Sequence, residues 1–462
     1  MAKRWIVVIS ISLLLLATAN AQKPYSTAQS FNFCPPHADT LYCFLPLFGL
    51  KDYNSYQFSV AGFPSNLPFS FPPFSVQSNL NLRLDSLLGI ETSTRPLPSP
   101  AAGISLTFDP MLGTFIPSAE SLGPILSDRA ETIGAHRLNL GFIYQHFGFQ
   151  ELDGQPLNSV GVFNAKFLGG EFAQSVALRV DEFTTFITYG LTKRIDVSAA
   201  FPVRTVHISA TGQSVNPFAT FNFINGPTSC ALLVNSSLSG APLQGIPLKP
   251  LSQLIGIPQL SPCFPSGFSD NRGSSGLSDI TFRAKATLLH TEHGGLGLGI
   301  DVRTPTGQPL NFLGSGAFGA RPFLIGSWGK RFHRVYLSPH LNIGYQWNGS
   351  SLLGGVLLGE EGRLPHVLSY AVGSEVGVTK RATITLDLVG ERLFSADRKY
   401  DFATMPGFAV VTTHSISMKD GSVGLKVNPW RTLLLTGNLE TRLDRSGLRA
   451  RLIPLAGVSY SF

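Results

Sequence analysis

The chain has 462 residues, of which 43% are hydrophobic and only 14% charged, with a net charge of +7 and a mean hydropathy of +0.17. A typical globular domain carries about 25% charged residues, so an ordinary soluble multidomain protein is disfavoured, and the hydrophobic and aromatic content disfavours disorder. The strongest apolar run, Ile6 to Ala17, falls short of the roughly 20 residues a membrane helix needs, which excludes a polytopic helical membrane protein.

In chain order, Lys3 and Arg4, the apolar run and Ala19-Asn20-Ala21 have the layout of a secretory signal peptide, so residues 1–21 are expected to be removed by cleavage after Ala21. No cysteine stands at that site, so a lipid anchor is not expected. Loss of Lys3 and Arg4 lowers the net charge to +5, too small a surplus to argue for nucleic acid as a partner. Residues 22–136 form a Pro/Ser/Phe-rich extension centred on Phe69-Ser-Phe-Pro-Pro-Phe, with scattered alternation from Ile104 to Phe108. Such a segment either threads into a lumen as a plug or lies in the periplasm. The four cysteines are an even set in an exported chain, and local disulfides Cys34–Cys43 and Cys230–Cys263 are expected, with four free thiols as the alternative.

From Arg137 onward the hydrophobic period is 2. Leu337, Pro339, Leu341, Ile343, Tyr345 and Trp347 alternate with Ser338, His340, Asn342, Gly344 and Gln346, and Leu296, Leu298, Ile300 and Val302 alternate with Gly297, Gly299, Asp301 and Arg303. The same reading along the chain gives about twelve strands, near 137–149, 174–190, 194–208, 278–290, 294–304, 318–330, 334–348, 365–379, 382–395, 414–428, 431–442 and 450–462. In the second the parity slips near Asp181 and Glu182, as a bulge would make it do. Every second connection is short, as at Leu191-Thr192-Lys193 and Lys380-Arg381, and those between are longer, with 209–277 the longest and expected to carry a function of its own. That alternation belongs to a membrane barrel. Lipid cannot hydrogen-bond an exposed backbone, so strands span it only as a closed sheet. Residues 137–462 are therefore expected to form a transmembrane, antiparallel, up-and-down β-barrel in the outer membrane of a Gram-negative cell, the all-β class with no membrane helix. The alternating last strand ends on Tyr460 and Phe462, read as the signal for the barrel assembly machinery.

With the apolar face on lipid, the other face lines the lumen. It brings inward Arg179, Arg204, Arg283, Lys285, Arg303 and Lys426, and the acids Asp196, Asp279, Asp301, Glu375, Asp387 and Glu391, a balance that argues for no strong ion selectivity. A hairpin folded about Glu292 sets Arg283 opposite Asp301, a wall ion pair. One folded about Arg381 sets Glu375 opposite Asp387. These two carboxylates either share a base (Arg283, Lys285 or Arg303) in a polar constriction or are solvated separately after a register slip. No G-x-S-x-G elbow and no phosphate-binding Gly-rich loop occurs, and His290 and His293 fall in a short turn rather than on a helix, so neither an enzyme, a metal site nor a cofactor is expected.

Three runs carry a family resemblance: Tyr189-Gly-Leu-Thr-Lys-Arg-Ile-Asp-Val-Ser, Gly276-Leu-Ser-Asp-Ile-Thr-Phe-Arg-Ala-Lys, and Asp301-Val-Arg-Thr-Pro-Thr-Gly followed by Leu313-Gly-Ser-Gly. Over residues 137–462 the chain resembles the outer-membrane barrels labelled as a MetA-pathway of phenol degradation. The resemblance implies a transporter-like barrel similar in broad type to fatty-acid and aromatic-hydrocarbon channels. The long extension and the cysteine-bearing loop depart from it. The function expected is passive or facilitated uptake of small hydrophobic or aromatic solutes. The alternatives are a non-transporting surface barrel and a general porin.

Overall fold

In the computed structural model the described residues are 40–41, 88–92, 98, 106–109, 114–117, 121–159, 163–165, 170–215, 222–223, 230–231, 267–291, 293–333, 335–355, 361–401, 410–430 and 432–462. Cys34, Cys43 and Cys263 lie outside them, as do the expected signal peptide and most of the extension. The alternating sequence folds into twelve antiparallel strands that close on themselves. We number them β1 (Leu138–Leu152), β2 (Gly170–Gly190), β3 (Ile195–Val215), β4 (Gly267–Leu277 and Thr281–Thr291), β5 (Gly294–Arg303) and β6 (Gly319–Trp328). The second half comprises β7 (Val335–Asn348), β8 (His366–Thr379), β9 (Ala382–Asp401), β10 (Val410–Trp430), β11 (Leu433–Arg442) and β12 (Leu452–Ser461). Each strand pairs with the next, and β12 pairs with β1 in the register Val458↔Phe142. The seam is finished by the Phe462 N–H donating to Leu138 O over 2.8 Å and by Asn139 Nδ2 donating to Ser461 Oγ over 2.8 Å. No strand edge is left in the barrel, which is the condition for crossing lipid.

Odd and even positions separate as a period of 2 requires. On β3 the outward residues Ile195, Val197, Phe201 and Val203 face away from the lumen, and Asp196, Ser198, Ala200, Pro202 and Arg204 face into it. Eight steps from Ile195 to Val203 cover roughly 27 Å at about 3.4 Å per residue, or near 20 Å of bilayer at a strand tilt of about 40°. Exposed aromatic side chains mark both borders of the belt: Tyr189, Trp328, Phe332 and Trp430 at the short-turn end, and Tyr144, Phe183, Phe318 and Trp347 toward the long loops.

Above the belt the faces exchange character. On β3 the outward residues become Thr205, His207 and Ser209 and the inward ones Val206, Ile208 and Ala210. On β2 they become Asp181, Arg179 and Ala177 outward, and Val180, Leu178 and Val176 inward. The border is a row across three strands, Gln145↔Glu182↔Arg204, with Arg204 and Glu182 joined in a buried ion pair at 2.5 Å. This corrects two expectations. The register runs through Asp181 without a bulge, and the parity never slips. The side chains change face preference because the strand has left the membrane, so water is outside and a protein core inside. For the same reason Arg179 points outward, not into the lumen. A bulge occurs instead at Ser278–Ile280 on β4, and the connection read as 209–277 contributes the upper ends of β3 and β4.

Inside this outer collar Phe147, Phe149, Leu178, Ile208, Leu393, Ile416 and Ile453 pack around Leu88 and Ile90 of the helical turn Leu88–Thr92 and around Phe312 and Leu353 from the long loops. The long-loop end of the barrel is thus closed by an apolar core.

Candidate functional site: a segment held across the lumen

Residues 121–136 cross the barrel interior in the short-turn half. Gly123, Pro124 and Gly134 keep this stretch from forming a helix or strand, so its buried N–H and C=O groups need partners from outside it. The inward side chains of the wall supply them. Leu122 N–H donates to Thr383 Oγ1 (3.0 Å), and Lys426 Nζ donates to Pro124 O (2.5 Å) and Leu122 O (3.4 Å). Asn342 binds Asp128 twice: its Oδ1 accepts from Asp128 N–H at 2.6 Å and its Nδ2 donates to Asp128 O at 2.9 Å. Ala130 N–H donates to Ser327 Oγ (3.3 Å), and Ala130 O accepts from Thr287 Oγ1 (2.6 Å). Lys285 Nζ donates to Glu131 O (2.7 Å) and Arg129 O (3.2 Å), and Ile133 N–H donates to Asp196 Oδ2 (2.9 Å). Gly297 allows the close approach: a Cβ there would stand 3.2 Å from Ala130 Cα. Part of the extension therefore lies within the barrel.

Charged side chains add to these bonds. Arg283 donates to Asp301 through Nε (2.6 Å) and Nη2 (2.9 Å), and through Nη1 to Asp128 Oδ2 of the crossing segment (2.7 Å). Arg321 also donates to Asp301, at 2.5 and 3.1 Å, and both guanidinium groups lie over the Phe323 ring, 4.8 and 5.5 Å from its centroid. Arg283 and Asp301 are register partners. Glu375 and Asp387 are not, contrary to the hairpin expected about Arg381. An irregularity between Gly377 and Thr379 shifts the ladder, so Glu375 faces Thr385 and Asp387 faces Gly373. Nor does Arg283, Lys285 or Arg303 serve this pair. Glu375 accepts from Arg129 Nε at 2.8 Å and from Ser121 Oγ at 2.7 Å, both from the crossing segment. His340 stands between the acids, with Nε2 2.6 Å from Asp387 and Nδ1 3.9 Å from Glu375. Paired carboxylates signalled a base, but the base came from a non-local segment that alternation could not place.

Arg303 sits higher, donating to Asn348 Oδ1 at 2.8 Å and lying 3.6 Å from Asp279. Asp279 accepts from Gly307 N–H (3.0 Å), Ser315 N–H (2.7 Å) and Ser315 Oγ (2.5 Å). A Cβ on Gly307 would stand 2.7 Å from Gly314 Cα, so the two glycines meet backbone to backbone. Residues from the Gly276, Asp301 and Leu313 runs thus meet in one staple that ties the β4 bulge to the loop 304–318. Their spacing is that of a loop anchor.

Between the crossing segment and the apolar core lies a cavity of about 110 Å³. Phe147, Phe323 and Met418 line it beside Arg321, Glu391 and Asp420. Its size is of the order of the roughly 150 Å³ cavity that holds one benzene ring in an engineered protein. Arg449, fully buried at its edge, is paired with Asp420 at 2.5 and 3.1 Å. His290 and His293 are exposed beside the β4–β5 turn.

No family model and no curated protein matches this chain. Among solved structures it is similar to an outer-membrane channel from Pseudomonas putida F1, at 12% identity and a TM-score of 0.43, with 72% of this chain and 98% of that one covered. It is also similar to a Pseudomonas aeruginosa FadL homologue, at 11% identity and a TM-score of 0.28 over 80% of this chain and 98% of that one. A mutant of the TodX monoaromatic hydrocarbon channel is 11% identical, with a TM-score of 0.29 over 71% of this chain and 89% of that one.

Proposed function

We propose that the protein is a gated outer-membrane channel for small molecules, with residues 121–136 as its gate. The observation that carries this reading is the way the segment is held. Side-chain-to-backbone hydrogen bonds and ion pairs attach it to the wall, and these can be exchanged for water one by one. An internal chamber stands directly above it. The aromatic and apolar groups beside Arg321 suit a solute with an apolar or aromatic body and a polar edge, and the motif resemblance favours the same class. The signal-peptide layout of residues 1–21 supports export, with Tyr460 and Phe462 as the residues offered to the assembly machinery. Lipid, that machinery and the solute are the partners in this reading, and no catalytic step belongs to it.

Liposome swelling tests the proposal. Full-length protein carrying Asp128→Ala and Arg129→Ala loses the Asp128–Arg283 and Arg129–Glu375 pairs and is expected to raise swelling rates for small aromatic alcohols at least tenfold over the unaltered chain. Absence of flux for every solute in both proteins refutes it. The apolar core across the long-loop end favours a second reading, a non-transporting surface barrel, and the second outcome selects that reading.

A further inference from the structure

The crossing segment is held differently at its two ends. From Asp128 to Ile133 its polar groups meet matched partners on β3, β4, β6 and β7: Arg283, Asn342, Ser327, Thr287, Lys285 and Asp196. At this end the atoms without a hydrogen-bond partner among the described residues are Asp196 Oδ1, whose sister oxygen is bonded to Ile133 N–H, His340 Nδ1 and Glu131 Oε2, one each on β3, β7 and the segment itself.

The part before Asp128 lies over β9, β10 and β11, where Thr383 and Lys426 hold its backbone and Ser127 Oγ donates to Asp387 Oδ1 (3.4 Å), but a group of neighbouring wall side chains is left unmatched. In two adjacent inward rows stand Asp387, Ser422 and Glu440, then Thr385, Gly424 and Asn438. All five of these side chains are at least nine-tenths buried. Yet Thr385 Oγ1, Ser422 Oγ, Asp387 Oδ2 and both polar atoms of the Asn438 amide have no hydrogen-bond partner. Gly424 makes the dimple between them. A Cβ at Gly424 would lie 2.6 Å from Thr385 Oγ1, 2.7 Å from Asn438 Oδ1 and 2.4 Å from Ile125 Cδ1. An apolar methyl group of the crossing segment therefore covers a hydroxyl and an amide that it cannot bond. Burying polar groups in this way is unfavourable, and opening at this point relieves the penalty.

We infer that the segment swings on its Asp128–Ile133 end and lifts Ser121–Ser127 from the β9–β11 wall. The uncovered patch of Thr385, Ser422, Asn438 and Asp387 is a binding subsite for small uncharged solutes that both donate and accept hydrogen bonds. Asp387 keeps His340 and Glu375 keeps Arg129 when the segment lifts, whereas Leu122 O and Pro124 O leave Lys426 with it. The orphan groups are a carboxylate oxygen and neutral donors and acceptors beside the Lys426 ammonium, a mixed set that a polyol, whose hydroxyls both donate and accept, can meet. The inference rests on the gate reading for its flux consequence alone; the hinge and the subsite stand on geometry.

Amide exchange read by mass spectrometry on the full-length protein in vesicles tests it, with erythritol as the probe. The peptide covering 121–127 is expected to exchange at least tenfold faster than the one covering 128–136, and erythritol is expected to increase that difference by holding the open form. Two substitutions restore polarity matching and should lock the segment. Ile125→Asn gives Thr385 and Asn438 a partner, and Asn438→Leu gives Ile125 an apolar one. Each is expected to slow exchange of 121–127 at least fivefold, and Asn438→Leu to abolish the response to erythritol. Equal exchange of both peptides, faster exchange of 128–136, or an erythritol response that survives Asn438→Leu overturns the inference. Asymmetric exchange with no liposome swelling would instead remove the channel reading and leave the hinge standing.

Discussion

The Arg129–Glu375 pair is where one residue's chemistry bears most directly on the gate. Glu375 is fully buried and accepts from Arg129 Nε and Ser121 Oγ. Removing one partner of a buried pair leaves the other charge uncompensated, at a cost of about 3–5 kcal/mol, whereas replacing both by apolar groups is often neutral. Glu375→Gln is therefore expected to lower the urea midpoint of the full-length protein in micelles, and Arg129→Leu with Glu375→Leu to recover most of the loss. A double variant as unstable as the single one would show that Glu375 matters through other contacts. Asp387 differs, since one of its oxygens is bonded to His340 and the other to nothing.

Among the elements, the β4 bulge with its loop 304–318 shows how a motif can encode structure without touching a solute. Asp279 gathers three donors from residues 28 to 36 positions away, and bonds to a charged acceptor contribute about 1.5–3 kcal/mol each. Asp279→Ala strands those donors. It is expected to destabilise the loop by about 3 kcal/mol or more and to expose 304–318 to protease while β1–β3 remain protected. An unchanged cleavage pattern would refute the anchoring role. The strand positions themselves were largely legible, because alternation is a local property. Pairing was legible only where a hairpin is regular: the β4–β5 hairpin sets Arg283 opposite Asp301 as read, and the β8–β9 hairpin does not set Glu375 opposite Asp387, because a single irregularity at Gly377/Thr379 moves every pair above it.

For the whole molecule, the exchange of faces at the Gln145–Glu182–Arg204 row divides the barrel into a belt solvated by lipid and a collar solvated by water. A charge placed at the middle of the belt is expected to cost far more than one placed on the collar. Leu298→Arg on β5 should destabilise by about 2–4 kcal/mol when refolding in lipid vesicles is measured. His207→Arg on the outer face of β3 should change stability by less than about 0.5 kcal/mol. Similar costs at both positions would place the membrane border elsewhere. The same division explains why the lumen is not a uniform polar tube: its lower half is filled by hydrogen-bonded side chains and a crossing segment, and its upper half by an apolar core.

The amino-acid sequence alone determined the strands, their short and long connections and the choice of face within the belt, since side-chain alternation and turn composition are set within a few residues. Tertiary structure decided the rest. Which face is apolar above residue 204, which base answers Glu375, and which polar atoms stay unpartnered beneath Ile125 all depend on groups hundreds of positions apart, brought together only when the barrel closes around a segment that has no period of its own.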